Sequence, residues 1–572
     1  MFAQMYPRLI NRVGEFNPQL FREIKGRLQP RNIMIVSALS IVGQILLFIY
    51  FEGLLPSYEG VYNRYCTGEG YDTYSRGAQL CIADMLGNIQ TIREVWWLDM
   101  FVTMSIMGIF ILLLGGSYML VADLTKEERK GTFNFIRLSP QSASDIFLGK
   151  ILGVPILLYL FGILAIPLHI WSGLSANVSF PLMVMFYLIL GASCLFFYGM
   201  SLLFSLVTQG WGNFQAPLAS TFIFFFLFSV MGITLESNAP AYTETSVDWF
   251  LLFYPGTFLA YLVKSTYLSQ TTLGYLSGDA LTNLRWYGQG LWQNGLAGGF
   301  LILFNYGVWT FWLYQGLKRR FANPLATVIS KSQSYLLSFC FIVINLGFAL
   351  QTFSPYTDYS VTIQVVQVLN LILFLLLIAG LTPSRQSLRD WARFRHENSR
   401  ENRVLWRDLA FSEKSPPVMA IALNLLIVNL YSIPSLFFFP DTNPLEFIIA
   451  IALGAFSILV YASVAQLLMT LKTDKRGLIT SITVITLNIS PLFGYAFLND
   501  WTKNIDNPIL IQQILANLSP LPITLTTYES LSAILISLSL QMVTIVAFNL
   551  KMTKTLAIAG MSETKRLMMT EK

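Results

Sequence analysis

The sequence predicts an all-α polytopic membrane protein of about twelve transmembrane helices, and three observations carry that prediction. Hydrophobic residues make up 54% of the 572 positions and charged residues only 12%. The apolar residues gather into runs long enough to cross a hydrocarbon core of roughly 30 Å. The cations alternate from loop to loop: with both termini cytoplasmic, 31 of the 37 Lys and Arg fall on the inner side. That bias orients membrane helices, and an odd number of spans would spoil the alternation.

The expected spans are 33–52, 98–121, 149–171, 180–207, 214–235, 294–316, 333–353, 362–381, 418–438, 446–470, 478–498 and 528–550. Before the first lies a charged leader, 1–32, with no small-residue cleavage site of the kind that ends a signal peptide. Asn17-Pro18 predicts a helix start there, with a capping side chain and a proline whose missing N–H costs nothing at that position. Leu20, Phe21, Ile24 and Leu28 fall on one face, and Arg22, Glu23, Lys25 and Arg27 on the other. Such a helix is expected to lie in the headgroup layer. In the outer loop 53–97, Cys66 and Cys81 are the candidate disulfide pair, since that compartment is oxidising. Cys194 and Cys340 sit in apolar spans and read as small packing residues.

Residues 125–150, TKEERKGTFNFIRLSPQSASDIFLGK, are too long for a plain turn between spans. They read as two short surface helices, a coupling segment over 125–147. Thr125 with Glu128 has a capping-box spacing, and Ser142 with Asp145 suits a second cap. Glu128 is expected to hold the helix start, Arg129 or Lys130 to meet a partner or headgroup, and Gly131 to allow close backbone approach. Phe133, Phe135 and Ile136 are expected to embed the helix in a bilayer edge or a partner's groove. Further on, the outer segment 236–293 contains an apolar stretch broken by Pro255-Gly256, read as half-membrane helices that dip in and return. The basic stop Lys318-Arg319-Arg320 ends a first half, 33–320. A second six-span region, 321–572, follows, with the arginine-rich loop 382–414. Two polar-to-apolar entries of this region, 401–437 and 471–477, echo 17–50 and 123–131, either as a degenerate repeat or as the chance recurrence of span-loop-span grammar.

Catalytic constellations are sparse. His169 and His396 cannot form a metal site alone, and no cysteine pair has CxxC spacing. No phosphate-cradling G-x-x-x-x-G-K-[ST] loop occurs, and Leu276-Ser277-Gly278-Asp279 is only a superficial likeness to an ATPase signature. Asp99, Asp123 and Glu446 fall near span ends, where solvent or headgroups are expected to serve them. Span middles lack Asp, Glu, Lys and Arg, whereas proton-coupled carriers keep ionisable groups near the midplane. Gly115-Gly116, Asn488 and Ser490-Pro491 are read as packing positions rather than a substrate path.

Several motifs carry a resemblance. Asn17-Pro18-x-Leu20-x-Arg22-Glu23 resembles the connecting helix of ABC-2-type transporter permeases. Glu127 to Phe133 (Glu127, Glu128, Arg129, Lys130, Gly131, Thr132, Phe133), then Leu138-Ser139-Pro140, Ile146 and Gly149-Lys150, resemble their coupling-helix loop. The re-entrant segment before the sixth span and the exit through Asn323-Pro324 fit as well, so the likeness covers roughly 15–335. It implies a permease subunit without an ATPase site, binding no cofactor itself. A cytosolic ABC ATPase carrying ATP-Mg would dock on 125–150, and a second permease copy or a different permease subunit would complete the path. The implied role is export of a lipidic, glycan or amphipathic substrate across a bacterial plasma membrane, in contact with lipids and no nucleic acid. A twelve-span secondary carrier and a non-transporting scaffold are the rival readings.

Overall fold

The computed structural model describes residues 14–68, 78–235, 244–268, 281, 284–351, 359–397, 405–439, 444–473, 475–501, 510–519 and 530–560. The expected mimic of an ATPase signature at 276–279, and residues 236–243, 269–280 and 282–283 of the segment 236–293, therefore lie outside the described residues. Twelve of the described helices are long and apolar enough to cross a membrane. The chain is thus an all-α, multi-pass integral membrane protein. It divides into two compact units, one of residues 1–243 with 247–322, the other of 244–246 with 323–572.

The first unit opens with α1 (Pro18–Arg27) and α2 (Pro30–Gly53). Pro30 has no N–H to continue α1, and Asn32 Nδ2 takes up the Arg27 carbonyl at 3.0 Å. Met34, Leu39, Leu46 and Ile49 of α2 stand exposed, as a hydrocarbon-facing surface requires. At the far end of α2, strands β1 (Tyr62–Asn63) and β2 (Gln79–Leu80) pair antiparallel, with Tyr62 opposite Leu80. Cys66 and Cys81 beside them form a disulfide, with their Cα atoms 4.9 Å apart.

The next helix, α3, runs from Arg93 to Arg129 without a break, 37 residues or about 55 Å at the usual rise. One turn, Ile111–Gly115, widens to π geometry. There the Tyr198 hydroxyl donates to the Leu112 carbonyl at 2.7 Å and occupies the space over Gly116. Gly116 is thus a packing glycine. The expected helix start at Thr125 is not found. Thr125 Oγ1 donates to the Val121 carbonyl at 2.8 Å and to Gln215 at 3.0 Å, as a residue inside a helix does. With neither Gly nor Pro between Ser117 and Lys130, the helix continues until Gly131, whose φ of +71° ends it. Only then come α4 (Thr132–Arg137) and α5 (Ala143–Gly153). The Ser142 cap forms as expected, Asp145 N donating to its Oγ at 3.1 Å.

The third span also departs from expectation. It starts at Ile156 as α6 (Ile156–Ser175), set off from α5 by Val154-Pro155. Pro155 cannot supply the N–H that continuity needs. Tyr159 Oη reaches back across the break to the Ile151 carbonyl at 2.8 Å. After α7 (Phe180–Val207) and α8 (Gln215–Leu235), the helical turns Ser246–Phe253 and Pro255–Lys264 meet at 91°. The latter ends in α9 (Leu259–Lys264), and α10 (Gly295–Ala322) closes the unit. Both arms of the bend are buried in protein, which is where a membrane tolerates broken helix. Thr257 Oγ1 bridges them through the Leu251 carbonyl at 2.8 Å, and Trp249 Nε1 is anchored on Asn305 at 3.0 Å.

The second unit comprises α11 (Lys331–Ala349), α12 (Tyr359–Leu381), α13 (Arg385–Glu397), α14 (Leu405–Phe411) and α15 (Val418–Ser435). It continues with α16 (Pro444–Met469), α17 (Arg476–Trp501), α18 (Leu510–Leu518) and α19 (Leu531–Gly560). Ile342, Phe374, Leu377, Ile421 and Val428 make its core. The α13 arginines stand on a polar helix whose Leu388 and Ala392 alone are buried. Ala392 lies so close to Gly560 that a Cβ there would meet its carbonyl oxygen at 2.8 Å.

The bridge closes a loop with a sequence separation of 15. Cys66→Ser should therefore lower stability by about 3 kcal/mol on the chain-entropy relation, read as a lower melting temperature with unchanged membrane insertion.

Candidate functional site

At the end of the first unit remote from the disulfide, α1 lies along α5, running in the same direction. Asn17 makes the join at the start. Its Oδ1 accepts from Leu20 N at 2.9 Å, capping α1, while its Nδ2 donates to the Asp145 carbonyl at 2.7 Å. Pro18 occupies the first helical turn. Gly149 and Gly153, one turn apart on α5, let the two backbones approach. A Cβ on Gly149 would stand 2.8 Å from Leu20 N, and one on Gly153 would stand 2.5 Å from Glu23 Cβ.

This seating reverses part of the expected amphipathic pattern. Gln19 and Glu23 are the buried residues of α1 beyond its cap, whereas Leu20, Phe21, Ile24 and Leu28 are only half-buried. Glu23 turns inward because cations await it. Its Oε1 accepts from Gln19 at 2.9 Å and from Arg22 at 3.0 Å, and its Oε2 from Arg27 at 3.0 Å. Arg27 also reaches Asp123 at 2.6 Å, and Arg22 pairs with Glu127. Burial opposes the Arg22 charge, but Glu23 and Glu127 outweigh it and raise its pKa.

Lys150 stands at the centre. Its side chain is 1% exposed, and Nζ lies 2.7 Å from Glu127, 2.8 Å from Asp123 and 3.8 Å from Glu23. The oxygens of these three carboxylates fall within 4.8 Å of one another, a donor set suited to a hard divalent cation. Here the protein supplies its own cation, the ammonium. Three acids and three bases cancel formally, so the cluster binds leader, span end and surface helix into one joint.

The remaining residues of the 127–133 segment divide between two sides. Lys126, Arg129 and Lys130 face a cleft of about 540 Å³ that Tyr118 and Asn213 also line. Arg129 donates to Asn213 at 2.7 Å. Glu128 is not a cap; it lies in the field of Arg137 and accepts a backbone hydrogen bond from Gly210. Gly131 approaches no other surface and serves only its left-handed turn. Thr132 Oγ1 donates to the Glu127 carbonyl at 3.2 Å. Phe133 is 2% exposed, under the Arg137 guanidinium at 4.5 Å and against Phe321, and Ile136 is buried too. Neither is free to enter a bilayer or a partner. What α4 and the turn after it present outward is Phe135, 76% exposed, and Leu138, 83% exposed.

Sequence reasoning missed the partners of Lys150 and gave Asp123 to solvent. The available signal was a lone acid and a lone base at the ends of consecutive apolar runs. It likewise gave Asp99 to solvent or headgroups, whereas Asp99 is fully buried, held by Arg64 at 2.6 and 3.0 Å and by the Tyr65 hydroxyl at 3.1 Å. His169 is a packing residue. It stacks on Phe101 at 4.3 Å, with Ser105 and Tyr187 on its two nitrogens at 2.8 and 2.6 Å.

Lys150→Ala should destabilise the protein by about 3 kcal/mol, because it strands buried carboxylates. Millimolar Mg²⁺ or Ca²⁺ should then raise the melting temperature of the variant but not of the parent. Gly153→Val should push α1 off α5, seen as faster amide exchange over 18–27 with the spans still protected. Comparison with protein-family models, characterised proteins and solved structures finds no match to this chain.

Proposed function

We propose that this chain is the membrane-spanning subunit of an ABC-2-type exporter, driven by ATP hydrolysed on a separate cytosolic ATPase. The observation that supports this most is the joint around Lys150. A leader helix, the projecting end of the second span and the surface helix before the third are fastened by buried charge. An element pressed at α4 or α5 therefore carries the leader with it, as a receiver of force must. The bent pair ahead of α10 agrees with the re-entrant segment of that family. The cation bias supports a cytoplasmic position for the joint, and the reading assigns the chain to a bacterial plasma membrane. The broad apolar surfaces favour a lipidic, glycan-linked or amphipathic cargo. A second permease copy, a different permease subunit or the second six-span unit completes the path.

Docking on this reading uses the outward residues, Lys126, Lys130, Phe135 and Leu138. The inward ones, Glu127 and Phe133, hold the joint together. A twelve-span carrier is favoured by one observation, the division of twelve spans between two compact units. It requires flux driven by an ion gradient in liposomes without any ATPase.

Combining Lys126→Glu, Lys130→Glu, Phe135→Ala and Leu138→Ala should remove a stoichiometric ATPase from pull-downs of solubilised membranes. Insertion and melting temperature should be unchanged, since none of the four supports the core. If the ATPase still co-purifies and transport continues, the docking assignment is wrong.

A further inference from the structure

The second unit holds a cavity between α11, α12, α15 and α16 that is lined in part by polar side chains. Gln367 and Asn370 lie three residues apart on α12, and Asn429 and Ser432 three apart on α15, so each pair shares a helix face. All four line the cavity. Both amide atoms of Gln367, Oδ1 of Asn370 and Oγ of Ser432 are buried without a hydrogen-bond partner. Ser432 as a whole is 5% exposed.

The contrast with Asn424, on the same helix, is instructive. Asn424 is equally buried, yet it bonds Ser338 at 2.8 Å, Ser334 at 2.9 Å and the Ala420 carbonyl at 2.8 Å. Asn345 of α11 is also buried with its side-chain amide unpartnered, so what sets the cavity apart is that four such atoms meet in one space. Unpaired amides and hydroxyls in hydrocarbon are costly, and polar groups inside membrane spans gather at functional sites.

We propose that this cavity binds the small, uncharged, hydroxyl-bearing head of an amphiphile such as a diacylglycerol. Among the described residues, no Asp, Glu, Lys, Arg or His lines it, so none of them balances an ionic head. Gln367 offers a donor and an acceptor together, the complement of an alcohol. The cavity is partly open and has a volume of about 50 Å³, where a water needs about 10–15 Å³ on the same measure. It admits the few polar atoms of a small head, while Ile363, Val366, Phe374 and Leu425 offer apolar wall to a chain. This inference stands apart from the export reading and does not depend on the ATPase.

The test uses the full chain in nanodiscs with two alkyne-tagged photoreactive lipids, a diacylglycerol and a phosphatidic acid, and maps labelled peptides by mass spectrometry. The diacylglycerol should label α12 and α15, and the phosphatidic acid should not. Gln367→Met and Ser432→Ala, which keep the volume, should each cut that labelling about tenfold, the equivalent of one lost hydrogen bond. Their melting temperatures in detergent should stay level or rise, because each removes an unpartnered polar group. Equal labelling by both lipids, or labelling indifferent to the variants, overturns the proposal. So does a lower melting temperature without lipid, which would mean that the groups are held by bound water alone.

Discussion

A buried ammonium can persist only where opposite charge surrounds it, and Lys150 sets that condition for one whole end of the first unit. It requires Asp123 and Glu127 at the close of α3 and draws Glu23 of α1 into the same space. Arg22 and Arg27 follow, since three carboxylates cannot share one lysine without further cations. The glycines of α5 permit the approach that the charges demand. Removing any single member leaves the others mismatched, so the cluster behaves as one piece.

Around this piece, two helix breakers set the limits. Gly131 ends α3 and frees α4 to turn, and Pro155 parts α5 from α6. The surface helix is therefore not a rigid extension of the third span, as its apolar run suggested. It belongs mechanically with the leader and the second span, to which it is tied by charge. Its link to the third span is a hinge steadied by Tyr159. On the export reading, force arriving at α4 would enter the second span first.

What was legible in the sequence was whatever depends on near neighbours or on sums. Span number follows from hydropathy. The Asn17 and Ser142 caps follow from a side chain and an N–H three residues on. What was illegible depends on distant partners. Lys150 and Asp123 are 27 residues apart, and Glu23 meets them only because α1 folds back. The apparent cap at Thr125 failed because capping spacing also occurs inside helices, and only a breaker decides between them. Phe133 was read as embedded in a bilayer edge or a partner's groove, but its neighbour is Phe321 on another helix. Gln367, Asn370 and Ser432 carry no signal in the sequence beyond being polar residues in apolar runs, since a helix wheel does not say which face meets which.

The π turn at Ile111–Gly115 has a mechanical meaning beyond its packing. It holds one residue more than an α-turn, and one residue corresponds to about 100° of rotation about the helix axis. If that surplus residue migrates along the helix, the segment it passes turns like a screw while the rest stays seated. The Tyr198 hydroxyl on Leu112 acts as the pawl that fixes where the surplus rests. A 37-residue helix built this way need not answer torque as a solid rod. It can let its charge cluster swivel while its opposite end, pinned by Asp99 and Arg64, keeps its grip.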